Sequence, residues 1–233
     1  MKLEHTKYSK FISKNPDGRQ LVIPDIHGCL ATFKTLLNQI KLTKNDQLFL
    51  LGDYINKGKD SKGVLDLIIK LQENQDENGY QIFPLRGNHE QMFIEDYEGI
   101  KTSQFLDKTA EFSQLEYDFV CSLPYFYELD NFFLVHAGFN LETNNPFSDF
   151  ETMLWKRDFA ITDKEKENHF YDKTIIIGHN PTFLDYILQD INLKAPSICL
   201  DNGCVYTKKW FLGNLLCLDL TSNEIFIQEN TEN

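Results

Sequence analysis

Five short polar motifs constrain this chain more than any other feature, because each carries a glycine and each follows a run of β-branched, aromatic or leucine residues directly. They are Pro24-Asp25-Ile26-His27-Gly28, Gly52-Asp53-Tyr54-Ile55-Asn56-Lys57-Gly58, Arg86-Gly87-Asn88-His89-Glu90, His136-Ala137-Gly138 and Gly178-His179-Asn180-Pro181. The runs before them, Gln20–Pro24, Gln47–Leu51, Tyr80–Leu85, Phe132–Val135 and Thr174–Ile177, read as strands. Polar residues beside glycine at the carboxyl ends of strands are where open α/β sheets build their sites. Glycine there lets backbone approach a ligand closely. Any fold that uses these motifs together must bring five strand ends to one edge.

The segments between the strands fit that demand. Leu30–Ile40 places Phe33, Leu36, Leu37 and Ile40 at helical spacing, and Ser61–Glu73 does the same with Val64, Leu65, Ile68 and Leu71. Ser61 is available as an N-cap for the second helix. Glu90–Leu123 reads as mostly helical and Pro124 ends it. In the last third, Ser197–Asp201, Cys204–Lys208, Asn214–Leu220 and Glu224–Gln228 read as successive antiparallel strands, with turns at Asn202-Gly203 and Ser222-Asn223. The aromatic group Tyr125, Phe126, Tyr127, Phe132 and Phe133 reads as core. No internal repeat or linker divides the chain, so residues 1–233 are expected to form one α/β domain.

The residue types in the motifs agree on a chemistry. Asp25 and His27 lie two apart, so in extended backbone both side chains point the same way. Asp53 can bridge two cations with its two oxygens. Asn88, His136 and His179 offer neutral oxygen and nitrogen donors. This mixture contains no thiolate and suits manganese, iron or zinc. Two metals about 3.5–4 Å apart would clamp the attacking and leaving oxygens of an in-line phosphoryl displacement. Taken singly each motif is as compatible with a turn or a core histidine; the ordered set points to a site.

In this order the motifs resemble the calcineurin-like metallophosphoesterases, specifically the serine/threonine phosphoprotein phosphatases and their bacterial relatives. The resemblance runs from about Leu21 to Leu220, and Leu85-Arg86-Gly87-Asn88-His89-Glu90 is its most specific block. Asp60-Ser61-Lys62-Gly63-Val64, Gly178-His179-Asn180-Pro181-Thr182 and Leu200-Asp201-Asn202-Gly203-Cys204-Val205-Tyr206 look like the bacterial branch. The resemblance implies a β-sandwich flanked by helices, with a helical cap over about 90–123, and two divalent metal ions, manganese first among the candidates. Asp25, His27 and Asp53 would hold one metal, and Asp53, Asn88, His136 and His179 the other. His89 would protonate the leaving alkoxide, and Lys57, Asn88 and Arg157 would bind the phosphate. The implied reaction is direct attack by a metal-activated water on a phosphorylated Ser or Thr side chain. The bacterial branch also looks like diadenosine tetraphosphate hydrolases, which gives a second substrate class.

Two positions depart from the family pattern, which reads Gly-Asp-x-x-Asp-Arg-Gly where this chain has Asn56 and Lys57. Asn56 can orient His89 but brings no charge to support its protonated form. Lys57 keeps a positive charge and loses the planar fork that grips phosphate through two parallel bonds. General-acid catalysis is worth roughly 10²–10⁴-fold, of which Asn56 forfeits a part. A tuned phosphatase is the expectation, and a phosphoprotein-binding module without turnover is the alternative that these two residues motivate. Pro24, where the family commonly has glycine, fixes φ before the first ligand and is expected to be tolerated.

Charge and composition narrow the partners. With 35 acidic and 23 basic side chains, the formal net charge is −12. A surface of that sign repels nucleic-acid backbones and slightly disfavours a tetra-anionic ligand, unless bound metal reverses the charge locally. Met1 to Phe11 lacks the apolar run of a signal peptide, and no apolar stretch is long enough to cross a membrane. The five cysteines form no CxxC pair. A cytoplasmic enzyme acting on a phosphorylated protein or small phosphoester, without nucleic-acid or membrane partners, is the expectation.

Overall fold

Alternation along the buried strands decides the architecture. In the strand Gln20–Ile23 (β2), Val22 turns to one side while Leu21 and Ile23 turn to the other, and both sides are apolar. A strand apolar on both faces must be covered on both. The computed structural model, which describes residues 6–100, 112–157, 159–162, 165, 170, 172–209 and 211–232, solves this with two stacked sheets and outer helices.

One sheet has the order β10-β9-β2-β3-β4, built from Ile225–Glu229 (β10), Asn214–Asp219 (β9), β2, Gln47–Leu50 (β3) and Gln81–Pro84 (β4). Its β2, β3 and β4 run parallel, and β9 is antiparallel to both β2 and β10. The other sheet has the order β1-β5-β6-β7-β8, from Ser9–Phe11 (β1), Phe126–Glu128 (β5), Phe132–Val135 (β6), Thr174–Ile177 (β7) and Ser197–Cys199 (β8). Between the sheets, Val22, Phe49, Leu216 and Leu218 of the first meet Tyr127, Leu134, Ile176 and Ile198 of the second.

The outward faces are covered by helices and loops. Leu30–Ile40 (α1) and Ser61–Glu73 (α2) press Phe33, Leu36, Val64, Leu65 and Ile68 onto Leu21, Ile23, Leu48 and Leu50. Full burial of Phe33 stabilises by about 1.5–3 kcal/mol, so Phe33→Ala, with its cavity, costs about 3–5 kcal/mol. On the opposite face Phe133, Val135, Ile175 and Ile177 pack under Phe139, Met153 and Phe170.

Several sequence expectations need correction. Asp60, not Ser61, caps α2: its carboxylate accepts the Gly63 N–H at 2.8 Å, while the Ser61 hydroxyl accepts from Asn56 N–H. The expected strand Cys204–Lys208 is a turn closed by Tyr206 N–H on the Gly203 carbonyl. β8 pairs parallel with β7 rather than antiparallel to a neighbour, because the helix Leu184–Leu193, unforeseen in the sequence, carries the chain back across the sheet. The short strands β1 and β5, the turn Gln75–Asn78 (α3) and the helix Phe150–Trp155 (α6) are also additions; Leu184–Leu193 is α7 below.

Of the expected helical cap, Asn88–Tyr97 (α4) and Gln114–Ser122 (α5) are present, and residues 101–111 lie outside the described residues. The two helices are joined by Phe93 against Phe112 and by Tyr97 stacked on Tyr117 at 4.3 Å. In the acidic run Asp163–Glu167 only Glu165 is described. Among the described residues no helix is long and apolar enough to cross a membrane.

Candidate metal centre

The carboxyl ends of β2, β3 and β4 in one sheet and of β6, β7 and β8 in the other open onto the same place. Asp25 and His27 follow β2, Asp53 follows β3, Asn88 and His89 begin α4 after β4, His136 follows β6, and His179 follows β7. Ile26 and His27 N–H groups both donate to the Asp53 carbonyl (3.0 and 2.8 Å), which fixes the first motif on the second. Gly178 N–H donates to the His136 carbonyl at 2.8 Å and ties the last two together. Asp25, His27, Asp53, Asn88, His89, His136 and His179 are all buried, none more than 6% exposed.

Asp53 stands at the middle. Its Oδ2 lies 3.6 Å from both His27 Nε2 and His89 Nε2, and its Oδ1 lies 3.4 Å from His136 Nε2. Two groups of potential ligands result: His27, Asp53 and His89, and Asp53, His136 and His179. Asp25 Oδ2 adds a further oxygen 3.9 Å from His27 Nε2. Asp53 Oδ1 also accepts the His89 N–H at 3.0 Å, one of the donors that the first turn of α4 cannot satisfy internally.

The second group tests directly whether a cation fits. His136 Nδ1 sits 2.9 Å from the Leu51 carbonyl, which can only accept, so Nδ1 carries the proton and Nε2 is bare. That bare nitrogen faces Asn88 Oδ1 at 3.0 Å and His179 Nδ1 at 3.1 Å, with Asn88 Oδ1 and His179 Nδ1 also 3.0 Å apart. A proton on His179 Nδ1 could relieve one of these contacts and would leave the Asp53 oxygen facing bare acceptors. A divalent cation satisfies all four donors at once. In the first group the Ile55 carbonyl fixes the His27 proton on Nδ1 in the same way (3.1 Å), leaving Nε2 toward the centre.

Electrostatics agree. Burial first, then the neighbouring Asp201 and Asp53, raise the Asp25 carboxyl well above its ordinary range, and burial with Glu90 does the same to Asp53. Burial lowers the imidazoles, to about 3 for His27 and about 4 for His179, with Lys57 and Arg157 adding repulsion respectively. Neutral imidazoles are the ligand form, and crowded carboxyls are what a dication relieves.

Backbone strain and glycine shape the floor. His27, Asp53 and His179 all have left-handed φ (49°, 54° and 71°), as do Asn56 and Lys57 (73° and 67°). Each such residue stores about 1–3 kcal/mol. A Cβ on Gly178 would lie 2.2 Å from Asp25 Oδ1, and one on Gly87 would lie 2.3 Å from Asp53 Oδ1. Only glycine leaves room for those carboxylates.

The remaining sequence candidates lie around this centre. Lys57 is exposed, yet its Nζ reaches to 2.8 Å from His27 Nε2. Asn56 Oδ1 accepts the N–H of its own successor Lys57 at 2.6 Å. Arg157 follows α6 and donates through Nη1 to Asn180 Oδ1 at 3.1 Å, beside His179. Arg86 braces the segment before α4 through neutral partners: Gln91, the Tyr125 hydroxyl and the Val120 and Cys121 carbonyls. Cys29 and Cys204 are buried.

Two participants were not foreseen although their motifs were. Glu90 is fully buried and its carboxylate accepts the N–H groups of Asp53 (2.7 Å), Tyr54 (2.8 Å) and Gly87 (2.9 Å). Asp201 is buried near Asp25, and burial pushes its carboxyl up to about 6. Glu90 stands inside the third motif and Asp201 inside Leu200–Tyr206, but neither acid carries a pattern that marks its role.

Known proteins resemble this chain in sequence and in fold. The sequence profile of the calcineurin-like phosphoesterases matches residues 18–209. A symmetrical bis(5'-nucleosyl)-tetraphosphatase of Wigglesworthia glossinidia brevipalpis is 42% identical over 91 residues, which cover 39% of this chain and 31% of that protein. The Shewanella-like protein phosphatase 1 of Plasmodium berghei is 24% identical over 164 residues, 60% of this chain and 44% of that protein. The matches thus span less than half the length of either relative. A crystal structure described as a putative diadenosine tetraphosphatase superposes with a TM-score of 0.69 over 96% of this chain and 99% of that chain. At 19% identity that likeness shows the fold.

Proposed function

The chain belongs to the calcineurin-like phosphoesterases, and from that premise we propose that it hydrolyses phosphoric esters at a pair of divalent metal ions held by Asp25, His27, Asp53, Asn88, His136 and His179. The observation that carries this reading is Asp53, whose two oxygens face two separate groups of buried donors. When bound, the metal pair supplies positive charge for the phosphoryl oxygens and a water acidified toward neutral pH. Manganese is the proposed ion, and iron and zinc accept the same donors.

The chain's own residues do the rest. His89, held over Asp53 Oδ2, is the proposed donor of the proton to the leaving oxygen. Burial first, then His27 and Lys57, hold its imidazole well below the ordinary range in the metal-free protein, and Asn56 offers no charge against this. Arg157, bonded to Asn180, and Lys57, bonded to His27, are the proposed phosphate cations, with Asn88 serving both metal and phosphate.

Two substrate classes divide the relatives, and we place a nucleoside polyphosphate first. Lys57 and Lys209 both lie against the Tyr206 ring beside the metal ligands (5.5 and 4.5 Å to its centroid), a local reversal of the chain's net charge of −12 that suits a chain of phosphates. The second class, a phosphorylated Ser or Thr side chain, is supported by a cavity of about 440 Å³ lined by Gln91, Glu95, Tyr125, Phe150, Glu151 and Trp155. Its carboxylates and rings suit a basic residue flanking the phosphate. The setting proposed for either is the cytoplasm.

Hydrolysis of p-nitrophenyl phosphate by metal-stripped protein, with and without manganese and beside Asp53→Asn, tests the reaction. Its good leaving group needs little help from His89. Manganese-dependent turnover that vanishes in Asp53→Asn is the expected result. No turnover above that control, with metal shown to be bound, refutes the hydrolase and leaves a phosphate-binding module.

A further inference from the structure

At the rim of the metal centre three large aromatic side chains stand in solvent. Phe183 is 48% exposed, Tyr186 59% and Phe211 65%. Phe183 and Tyr186 are stacked (6.1 Å, 28°), and Phe183 meets Phe211 edge-on (5.9 Å, 60°). Exposed aromatics scattered singly need no explanation, but a contiguous group does.

This group is held in place by buried polar structure. Phe211 has a φ of +67°, which a bulky side chain adopts only under constraint. The constraint is Asn202, fully buried, whose Nδ2 donates to the Phe211 carbonyl and to the Thr182 carbonyl, both at 2.9 Å. Its Oδ1 accepts from Asn214 Nδ2 at 2.7 Å. One side-chain amide thus joins the turn that presents Phe211 to the residue preceding Phe183. A strained turn with a satisfied buried amide beneath it keeps two phenyl rings outside the core.

The platform is continuous with the site. Phe183 lies four residues beyond the candidate ligand His179, and Thr182 N–H donates to the carbonyl of Asp201 at 2.7 Å. Tyr206 and Pro181 both crowd Gly203 (2.9 and 3.3 Å from where its Cβ would lie). Tyr206 leads on to Lys57, and Lys57 to His27 at 2.8 Å. The exposed rings, the two lysines and the metal ligands are thus linked through Pro181, Gly203 and Tyr206.

We infer that Phe183, Tyr186 and Phe211 form a stacking subsite for the base of a nucleotide whose phosphate chain runs past Lys57 and Lys209 to the metal centre. This rests on the hydrolase reading above for its reaction, but the binding it asserts does not require turnover. Every base offers a π-face, so rings alone suffice for affinity without reading base identity. A peptide partner would gain little from two lysines between its contact surface and the catalytic centre.

The test compares adenosine triphosphate with inorganic tripolyphosphate, which has the phosphates without the base, on manganese-loaded full-length protein. Calorimetric binding and hydrolysis of both, and of diadenosine tetraphosphate and p-nitrophenyl phosphate, are measured for the wild type, Phe211→Ser and Phe183→Ser/Phe211→Ser. The expected result is tighter binding of the nucleotide than of tripolyphosphate, with that preference falling about tenfold or more in the double variant, the range that base stacking carries. The ratio of kcat/KM for diadenosine tetraphosphate to that for p-nitrophenyl phosphate falls in parallel. Circular dichroism of the variants separates this from misfolding, and Phe183→Tyr restores the preference. Equal binding of nucleotide and tripolyphosphate by the wild type overturns the subsite, as does a variant effect that is the same for every ligand or confined to phosphopeptides. Base-dependent binding without any turnover supports the subsite while refuting the hydrolase.

Discussion

Replacing Glu90 by Gln changes one atom in a fully buried side chain, and its consequence can be worked from three distances. The carboxylate accepts from Asp53 and Gly87 through one oxygen (2.7 and 2.9 Å) and from Tyr54 through the other (2.8 Å). The better orientation of Gln keeps its oxygen on the first pair and sets its NH₂ against the Tyr54 N–H, donor against donor. One charge-assisted bond, worth about 1.5–3 kcal/mol, is lost, and the other two weaken toward neutral strength. Against this, the variant no longer buries a charge that repels Asp53. The net cost in metal-free protein is about 2–4 kcal/mol. Because the bond that anchors the Asp53 N–H weakens and the one to the neighbouring Tyr54 N–H is lost, metal affinity should also fall about 10–100-fold. That removes about 1.4–2.7 kcal/mol of the stabilisation that saturating metal confers. Urea unfolding with manganese and with chelator, beside a calorimetric metal titration, reads both quantities. A loss below about 0.5 kcal/mol in chelator, with unchanged metal affinity, would refute the claim that Glu90 holds Asp53 in place.

Other outcomes follow from the same geometry. Gly178→Ala drives a methyl group into Asp25 Oδ1 at 2.2 Å, so one metal should bind about 10–100-fold more weakly while the other is retained; equilibrium dialysis counts the ions. Asn56→Asp adds a negative charge in the loop proposed to support His89, raising its pKa and extending activity to higher pH. About a tenfold gain is expected for phenyl phosphate and little for p-nitrophenyl phosphate, read from paired pH–rate profiles. Burial pushes the Glu116 carboxyl up, but Lys62 at 2.6 Å and the Ser113 hydroxyl overcome this and hold it at about 2, against an ordinary 4.5. Its folded pKa is depressed, so its contribution is present above about pH 4.5 and lost as pH falls toward 2. Glu116→Gln should therefore be less stable at neutral pH and show a flatter loss across that acid window in urea titrations.

Legibility in the sequence tracked how local the determining forces are. The helices α1 and α2 have the limits that apolar spacing predicts, because each buries one continuous stripe against the sheet. β6 and β7 are equally plain as short apolar runs. β5 reads only as aromatic core, since a three-residue strand is defined by its neighbours, and one of these, β1, lies more than 100 residues earlier. Missing α7 produced the wrong sense for β8, although Ile187 and Ile191 show helical spacing. Cys204–Lys208 imitates a strand in composition, but the left-handed Gly203 and the bond from Tyr206 N–H to its carbonyl close a turn instead. The seven buried residues that meet at the candidate metal centre were legible because their motifs combine polar side chains with glycine after strands. Glu90 and Asp201 were not, since an acid acting on backbone or on another acid has no pattern of its own. The solvent-facing rings of Phe183 and Phe211 were invisible for a related reason: sequence gives aromatic identity but not exposure.

The left-handed backbone at His27, Asp53 and His179 also limits what these positions can become. Besides glycine, the residues that tolerate this conformation most readily are Asn, Asp and His. Those three are also hard-to-borderline metal ligands. The vocabulary that the backbone permits and the vocabulary that the metal permits therefore overlap, so substitution among them can change the ion preferred without first breaking the loop. Glycine alone relaxes the backbone and silences the ligand. Lys57, bent the same way, lies outside that vocabulary. It is therefore the position of this set where replacement by Asn or Gly should ease the chain, at the expense of the cation beside His27.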